Sequence, residues 1–386
     1  MPDADAANYT SDTDLQRSGE SRKRGGPLTK FHALPIAKVD RETRDAIAIT
    51  FDVPLALRNH FRFEAGQHLT LEADIGGEAV RRSYSICAPE GEPLRIAVKR
   101  TPGGRFSLWA NDALRPGAQL GVMAPMGRFN VARDARASRH YLGVAAGSGI
   151  TPLLSMIATA LATEPRSRFT LIYGNRASAT VMFRDELAGL KDRYLSRFNL
   201  VHVLSREPQD IELLHGRIDR AKADALFERW VPVDDVDYAF LCGPEGMMDA
   251  VRASLVAHAF PAERIRIERF AASIPKHAHV PRPLPAAAQT ECEVNVIIDG
   301  SQRTFLLEKG RESIIDAGLR NGVELPFSCK GGVCSTCRCK LVEGEVDMDV
   351  NFALEDYEVA RGFVLACQSY PVTDRVTVDF DQTGTG

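Results

Sequence analysis

The sequence predicts a multi-domain fold, in which an antiparallel β-barrel, an α/β domain with a parallel sheet and a smaller α+β domain follow one another. Three observations predict it. Short runs rich in β-branched residues, separated by turn signals, fill the region from Phe31 to about Asn130. Buried apolar runs then alternate with helical stretches from His140 to about Phe270. After residue 290 come a hairpin signal, a short helix and a group of regularly spaced cysteines.

Composition is that of an ordinary globular protein and limits the partners. The chain has 386 residues, of which 44% are hydrophobic, and this length suffices for two or three domains. Lys and Arg number 48 against 51 Asp and Glu, so no basic field is present to hold nucleic acid or an anionic membrane. No apolar run approaches a membrane span, and the N-terminus lacks the apolar core of a signal peptide. We therefore expect no membrane partner and a cytoplasmic location.

The N-terminal part is predicted to be a disordered tail followed by a barrel. Residues 1–29 carry almost no large apolar side chains and cannot offset the entropy of ordering the chain. The barrel domain is predicted over 30–135, because about six strand-like runs at this spacing favour a small antiparallel barrel. Its clearest strands are 46–53, 67–74, 81–88 and 94–100.

A glycine-containing loop follows the fifth predicted strand. It reads Gly103-Gly104-Arg-Phe106-Ser107 and leads into a short helix. We expect Ser107 to cap that helix and leave its first backbone N–H groups free. A helix start of this kind is a ready binding site for a pyrophosphate.

The α/β domain is predicted over 136–270. Its expected strands are 141–146, 169–174, 200–205, 238–243 and 264–268, separated by helices near 182–193, 219–229 and 245–258. The first strand leads into Gly147-Ser-Gly149-Ile-Thr151-Pro152, where Thr151 is expected to be the N-cap and Pro152 the first helical residue. A glycine turn between strand and helix favours phosphate binding, and the ligand of such a sheet lies at the carboxyl ends of its strands.

A Pro- and Ala-rich linker is predicted over 271–290, and the last domain over 291–386. Asp299-Gly300 joins two alternating runs and predicts a hairpin. Ser313 is expected near the N-cap of a short helix that ends at Gly322.

The cysteine pattern of this domain carries the strongest chemical signal. Its spacing, C-x4-C-x2-C followed by a distant cysteine, is that of a plant-type [2Fe-2S] cluster. Gly331 and Gly332 let the loop turn and bring backbone N–H groups to the sulfurs. Zinc is the main alternative, but structural zinc sites pair two C-x2-C-like hooks or use His, and neither pattern is present. The expected ligands are Cys329, Cys334, Cys337 and Cys367.

A flavin is expected because a nicotinamide cofactor gives two electrons as a hydride, whereas a cluster takes one at a time. We place it on the barrel. Arg82 suits a flavin phosphate and Tyr84 suits packing on the ring or the ribityl chain. For either residue alone, a place on a solvated strand face is as good an explanation.

Five motifs occur in an order that resembles a known family. R-x-Y-S, G-G-x-x-S, G-S-G-I-T-P, C-G-P-x-x-M-M and the cysteine pattern together resemble the ferredoxin-NADP reductase superfamily fused to a C-terminal plant-type ferredoxin. Longer stretches such as FRFEAGQHLTL, LLHGRID and CKGGVCSTCRCKL resemble the reductase subunits of ring-1,2-phenylacetyl-CoA epoxidases, from about Phe31 to Phe380. The resemblance implies a β-grasp fold for the last domain.

The resemblance also implies an activity. It predicts an NADPH-dependent oxidoreductase that passes electrons through FAD and a [2Fe-2S] cluster to an oxygenase, namely a multi-subunit di-iron phenylacetyl-CoA epoxidase. FMN is the alternative flavin, since reductases of the same domain order bind it. The alternative acceptor is another hydroxylase, such as a Rieske enzyme, and the alternative of another class is a redox-sensing or electron-storage protein.

Individual roles carry over from the same resemblance. Ser85 falls on the position near flavin N5, and Cys242 on the position beside the nicotinamide. Glu268 is expected to order the site. Phe270 is expected to cover the flavin ring, although the plant enzymes have Tyr there. These residues should position the rings rather than react, because hydride transfer needs only close stacking.

Further cofactor contacts are expected along the chain. Ser205-Arg206 resembles the pair that holds the 2′-phosphate of NADPH, and Arg176 is a further candidate phosphate partner. An acidic run over 341–360 is either a solvated face or a docking surface for a basic electron acceptor. The other expected contacts are Val98, Lys99, Gly104, Phe106, Ser107, Gly147, Gly149, Thr151, Pro152 and Gly243.

Overall fold

The structure, a computed structural model, describes residues 30–270 and 290–382. The predicted tail over 1–29 and all but the last residue of the predicted linker lie outside the described residues. No helix within the described ranges is both long enough and apolar enough to cross a membrane.

Six strands of the N-terminal part form one antiparallel sheet in the order β4-β3-β6-β1-β2-β5. An isolated bridge between Ile86 and Ile96 links its two edge regions, so the sheet curls into the predicted barrel. Helix α1 connects β5 to β6. The elements are β1 (His32–Thr43), β2 (Ala46–Phe51), β3 (His68–Asp74), β4 (Ala79–Ser85), β5 (Arg95–Lys99), α1 (Arg105–Ala113) and β6 (Gln119–Val122).

The α/β domain follows as a parallel sheet of five strands in the order β11-β10-β7-β8-β9, as predicted. The strand order reverses between β7 and β10, which places a crevice at the carboxyl ends of these two strands. The elements are β7 (His140–Ala146), α2 (Ile150–Thr163), β8 (Arg168–Asn175), α3 (Arg184–Arg193), β9 (Phe198–Leu204), α4 (Arg220–Arg229), β10 (Tyr238–Cys242), α5 (Glu245–Ala257) and β11 (Ile265–Glu268).

The predicted cap of α2 is wrong. The N-cap is Gly149 rather than Thr151, and the helix begins at Ile150. The glycine turn Gly147–Gly149 is itself a 3₁₀ turn that runs directly into the helix, so no side-chain cap intervenes. Thr151 lies in the first helical turn, where its hydroxyl donates to the carbonyl of Ser148 at 3.0 Å.

The predicted cap of α1 is also misplaced. Its N-cap is Gly104, and Ser107 lies in the first helical turn. The Ser107 hydroxyl accepts from the N–H of Thr101 and donates to the carbonyl of Gly104, both at 3.1 Å. Ser107 therefore closes the loop before the helix instead of capping the helix.

The C-terminal domain is an α+β unit with a five-stranded sheet in the order β13-β12-β18-β14-β16 and a separate β15-β17 pair. Strands β12 and β18 run parallel, whereas the other neighbours are antiparallel. The elements are β12 (Glu291–Ile298), β13 (Ser301–Glu308), α6 (Ile314–Arg320), β14 (Arg338–Glu343), β15 (Val346–Met348), α7 (Asp356–Ala360), β16 (Phe363–Leu365), β17 (Ser369–Pro371) and β18 (Arg375–Asp379).

Two local predictions for this domain are confirmed. Asp299 and Gly300 form the hairpin turn with φ of 50° and 69°, the backbone conformation that a tight hairpin turn requires. Ser313 is the N-cap of α6, because its side chain accepts from the N–H of Asp316.

The hydrophobic cores differ in how they connect the domains. One cluster combines barrel residues such as Ala97 and Phe129 with α/β residues such as Leu153 and Met156. The cluster of the C-terminal domain contains, among the described residues, only side chains from Cys292 onwards. The barrel and the α/β domain thus share a core that the C-terminal domain does not enter.

Candidate active site and cluster-binding loop

The fold brings the four predicted ligand cysteines together: three lie in the loop between α6 and β14, and Cys367 lies between β16 and β17. The thiol of Cys329 lies within hydrogen-bonding distance of those of Cys334 and Cys367, and the thiol of Cys337 contacts Cys367. Three of the four are buried, whereas Cys329 is half-buried. Segments far apart in the chain thus place four sulfurs at one point.

Backbone N–H groups surround these sulfurs. The N–H of Gly331 donates to the sulfur of Cys329 at 3.3 Å, and that of Gly332 is directed at Cys367. Gly332 has a φ of 73°, and a Cβ there would lie 2.7 Å from the carbonyl oxygen of Val350. Only glycine fits this position, so the loop is built to hold N–H donors against sulfur.

The arrangement of the sulfur atoms and N–H donors indicates which metal group this loop can bind. In the described part of the chain, no three His, Cys, Asp or Glu side chains are spread as ligands of a single metal ion. Four mutually close sulfurs with N–H donors around them fit a [2Fe-2S] cluster. The assignment of the four cysteines as its ligands stays a prediction.

The flavin motif lies at the end of β4. Ser85 is 3% exposed, and its hydroxyl has no hydrogen-bond partner among the described residues. A buried, unpartnered hydroxyl is costly unless a ligand engages it, so this position fits a bound flavin ring. Tyr84 packs on Phe106 with ring centroids 5.5 Å apart, and burial raises the pKa of its phenol. Arg82 is exposed and donates to the carbonyl of Arg81.

Two predicted flavin contacts belong to the barrel interior. The side chains of Val98 and Phe106 are buried in the barrel core. Only their backbone groups are therefore available to a ligand. Gly104 is tightly enclosed, since a Cβ there would lie 2.6 Å from the Ser107 hydroxyl oxygen. The N–H groups of the first turn of α1 lack partners within the helix, so the prediction of an anion site there stays a prediction.

A cavity of about 690 Å³ opens at the carboxyl ends of the α/β strands. This is where an open parallel sheet binds its ligand. Most of the predicted nucleotide contacts line it, together with one residue from the barrel. The predicted residues that line the cavity are Lys99, Gly147, Gly149, Arg176, Ser205, Arg206, Gly243 and Phe270.

Three predicted nucleotide contacts do not line this cavity. Thr151 and Pro152 are buried within α2, and Cys242 is buried at the end of β10. A Cβ on Gly149 would lie 2.0 Å from the carbonyl oxygen of Cys242. Gly149 is therefore needed for the close approach of the glycine turn to the end of β10, and not only for access to a phosphate.

Several residues of the cavity were not predicted from the sequence. Asn175 is buried and its side-chain nitrogen has no partner in the described residues. Arg217 adds a third guanidinium group beside Arg176 and Arg206. Both lie within stretches of the chain, LIYGNR and LLHGRID, that resemble the epoxidase reductases, but neither residue type signals a ligand contact by itself.

The three domains meet around Cys334, which lies beside Glu268 of the α/β domain and His68 of the barrel. Burial, and then the nearby thiol of Cys334, raise the pKa of Glu268 to about 8. Burial, and then the charge of Glu268, raise the pKa of Cys242. Glu268 thus lies within electrostatic reach of both the predicted nicotinamide residue and a predicted cluster ligand. His68, paired with Ser85 across β3 and β4, lies beside the backbone of Cys334.

Part of the acidic run is neither solvated nor free for docking. Glu358 is 2% exposed and forms ion pairs with Arg128 at 2.7 Å and with Arg338 at 3.3 Å. Arg128 also donates to the hydroxyl of Tyr357 at 2.7 Å. Because Arg128 belongs to the barrel region, this end of the run faces another domain.

Family comparisons assign each domain. Residues 33–131 match an oxidoreductase FAD-binding domain, and residues 144–253 match an oxidoreductase NAD-binding domain. Residues 296–372 match a 2Fe-2S iron-sulfur cluster binding domain. The matched segments carry the Ser85 strand, the cavity and the cysteine loop respectively.

Relatives cover nearly the whole chain. One of the subunits of 1,2-phenylacetyl-CoA epoxidase from Escherichia coli K12 is 48% identical over 92% of this chain and 99% of its own length. The ferredoxin reductase component of 3-ketosteroid-9-alpha-monooxygenase from Mycobacterium tuberculosis H37Rv is 34% identical over 90% of this chain and 96% of its own.

Solved structures agree with the domain order. Phthalate dioxygenase reductase superposes with a TM-score of 0.54 and 28% identity, over 91% of this chain and 98% of that protein. The chain therefore belongs to the family of oxygenase reductase components that combine an FAD-binding domain, an NAD-binding domain and a 2Fe-2S domain.

Proposed function

We propose that this chain is the NADPH-dependent reductase component of a phenylacetyl-CoA epoxidase. In this role it passes electrons from NADPH through FAD and a [2Fe-2S] cluster to the di-iron oxygenase component. The observation that carries the electron path is the meeting of three domains at one place. Cys242 and Glu268 end two nucleotide strands, and Glu268 lies beside Cys334 of the cysteine loop. The backbone of Cys334 in turn lies beside His68, which pairs with Ser85 at the end of the flavin strand.

The groups that bind here define the chemistry, and the chain positions them. When bound, the flavin converts a two-electron hydride into single electrons, and the cluster carries these one at a time. The hydroxyl of Ser85 is placed to hydrogen-bond the ring, and Tyr84 to pack against it. Phe270 lines the cavity, where its ring would cover the flavin ring. Burial of Cys242 raises the pKa of its thiol and keeps it protonated. The side chain therefore contributes packing and not charge or nucleophilicity.

NADPH rather than NADH is supported by the charge of the cavity. Arg176, Arg206 and Arg217 line it and supply fixed positive charge for a 2′-phosphate. The carboxylates nearby are already engaged. Asp219 caps α4 by accepting from the N–H of Lys222, and Glu207 accepts from Ser178 at 2.8 and 2.9 Å. A ribose 2′-hydroxyl would therefore have to share these carboxylates with donors of the chain itself.

The epoxidase as acceptor is supported by the 48% identity to one of the epoxidase subunits over nearly the full length of both chains. A second candidate acceptor is another oxygenase, supported by the 34% identity to the reductase component of a ketosteroid monooxygenase. The domain bounds 30–135, 136–270 and 291–386 belong to the same proposal, and each encloses one family match. We also place the protein in the cytoplasm, because its ligand thiols need a reducing compartment.

Reconstitution tests the proposal. The holoprotein is mixed with phenylacetyl-CoA and a purified di-iron epoxidase, and product is measured with NADPH and with NADH. Product formation that depends on NADPH and on this chain supports the proposal. Failure with the epoxidase, together with turnover of a Rieske-type hydroxylase, would assign the second candidate instead. A protein that neither oxidises NADPH nor reduces its cluster would overturn both.

A further inference from the structure

One face of the β3-β4 pair is polar and is covered by the C-terminal domain. The register pairs His68 with Ser85 and Thr70 with Ser83. Directly opposed residues of an antiparallel pair point to the same side, so these four side chains share a face. The alternate positions, such as Leu69, belong to the barrel core.

Four hydroxyl groups connect this face to the cysteine loop. Thr70 contacts the hydroxyl of Thr336 at 3.2 Å, and Ser83 contacts that of Ser328 at 2.8 Å. Thr70 and Ser83 also contact one another at 3.3 Å, which joins the two bridges into one network. We call Thr70, Ser83, Ser328 and Thr336 the hydroxyl seam.

The hydroxyl seam touches the chain directly beside the cluster ligands. Ser328 precedes Cys329, and Thr336 precedes Cys337. On the barrel side, Ser83 lies two residues from Ser85 on the same face of β4. The seam therefore ties the strand that meets the flavin to both ends of the loop that holds the sulfurs.

Arg81 extends the same contact. Its guanidinium lies over the ring of Phe327 at 4.6 Å and donates to the carbonyl oxygen of Leu325 at 3.4 Å. Glu72 accepts from it at 2.6 Å and fixes its orientation. The C-terminal domain is thus held here by polar and cation–π contacts and not by a shared apolar core.

We propose that the hydroxyl seam is the positioning element for the one-electron step. It sets the separation between the flavin and the cluster, while hydride transfer depends on other contacts. This inference rests on the proposed electron path from flavin to cluster. Electron tunnelling falls steeply with distance, so a small shift of the loop slows cluster reduction without affecting the arrival of the hydride.

The test compares Thr70→Val and Ser83→Ala with the unchanged holoprotein by anaerobic rapid mixing with NADPH. Flavin bleaching reports hydride transfer, and the absorbance and electron paramagnetic resonance of the reduced cluster report the following step. We expect unchanged bleaching and cluster reduction slowed about tenfold. Thr70→Ser keeps the hydroxyl and should retain the original rate.

Controls separate positioning from damage. Thr304→Val removes an exposed hydroxyl of the C-terminal domain, on strand β13, which bonds Asn295 at 2.6 Å and is not part of the hydroxyl seam. It should change neither rate. Hydrogen exchange of the holoprotein gives a second readout, and we expect faster exchange in the cysteine loop of Thr70→Val than of Thr304→Val.

The outcomes distinguish this inference from the proposed function. If the unchanged protein bleaches and then reduces its cluster, the function holds. Equal cluster-reduction rates in Thr70→Val, Thr70→Ser and the unchanged protein then overturn the seam proposal. Equal slowing by Thr70→Val and Thr70→Ser would also overturn it, because the hydroxyl would not be the cause. If a seam variant loses iron, its hydrogen exchange is compared with that of Thr304→Val. Faster exchange in the cysteine loop of the seam variant supports the proposal, and equal exchange overturns it.

Discussion

The barrel forms two interfaces with the other domains, and they differ in composition. We call the interface with the α/β domain the first joint and the interface with the C-terminal domain the second joint. Between the barrel and the α/β domain, a continuous apolar cluster joins Ala97 and Phe129 to Leu153 and Met156. Arg95 of the barrel reinforces it by donating to both carboxylate oxygens of Glu186 at 2.8 and 2.9 Å. Between the barrel and the C-terminal domain, the described contacts are polar, and the apolar cluster of that domain stays within it.

This difference matches the two kinds of transfer that the chain is proposed to perform. Hydride transfer requires two rings held at about 3 to 3.5 Å, and a close-packed core resists deformation. Single-electron transfer requires a short distance between the two groups but no fixed stacking of two rings. A polar interface between the domains is therefore sufficient. Polar contacts between domains of one chain resemble those of transient complexes. The comparison therefore predicts that changes at one joint leave the other step intact.

The largest expected effect comes from removing a predicted ligand. In Cys334→Ser we expect the reduced-cluster signal to disappear, while NADPH still bleaches the flavin, because the first joint is unaffected. Iron content and electron paramagnetic resonance measure the change. Cys292→Ala, a buried thiol outside the ligand set, should keep its iron. A Cys334→Ser protein with full iron content would contradict the ligand assignment.

The next effect concerns the shared core of the first joint. Phe129 is buried, and its ring meets Phe240 of β10 edge to face at 5.5 Å. Phe129→Ala should lower the free energy of unfolding by about 3 to 5 kcal/mol, through lost burial and the cavity that remains. Denaturant titration measures it. Because the two domains share this core, we also expect slower flavin bleaching, with no change in the electron paramagnetic resonance spectrum of the cluster.

A smaller effect is expected from the ion pair at the same joint. Arg95→Met removes the two hydrogen bonds to Glu186 and should cost about 1 to 2 kcal/mol of unfolding free energy. Slower hydride transfer with an unchanged rate of cluster reduction is the expected kinetic result. Arg303→Met, on an exposed hairpin strand, serves as the control. Slowing confined to cluster reduction would mean that the joints are not independent.

The smallest expected effect lies outside both joints. Arg206→Ala removes one guanidinium from the cavity and should raise the KM for NADPH about tenfold, which is about 1.4 kcal/mol. The KM for NADH should stay the same, since it carries no 2′-phosphate. Steady-state kinetics with both nucleotides measures the ratio. An equal rise for both would assign Arg206 to the shared pyrophosphate instead.

Local patterns predicted much of the fold. The alternation of strands and helices gave the parallel sheet, and Asp299-Gly300 gave the hairpin. Helix starts were less certain because a glycine turn can itself be helical. For this reason Gly149, and not Thr151, is the N-cap of α2. Ser107 was misplaced because its hydroxyl bonds backward to the loop.

Contacts between domains could not be predicted from the sequence. Thr70 and Thr336 are 266 residues apart, and strand alternation gives the face of a side chain but not its partner. Glu358 was grouped with an acidic run, although its side chain is buried and forms ion pairs with Arg128 and Arg338. Arg217 and Asn175 were missed because a single polar residue at a strand end or loop has no distinctive spacing.

The most direct test of the account follows both steps in one experiment. The holoprotein is mixed anaerobically with NADPH, and flavin absorbance and the cluster signal are recorded together, for the unchanged chain, Arg95→Met and Thr70→Val. We expect flavin bleaching before cluster reduction, with Arg95→Met lowering only the rate constant of the first step and Thr70→Val only that of the second. Cluster reduction that precedes flavin bleaching, or variants that slow both phases equally, would contradict it.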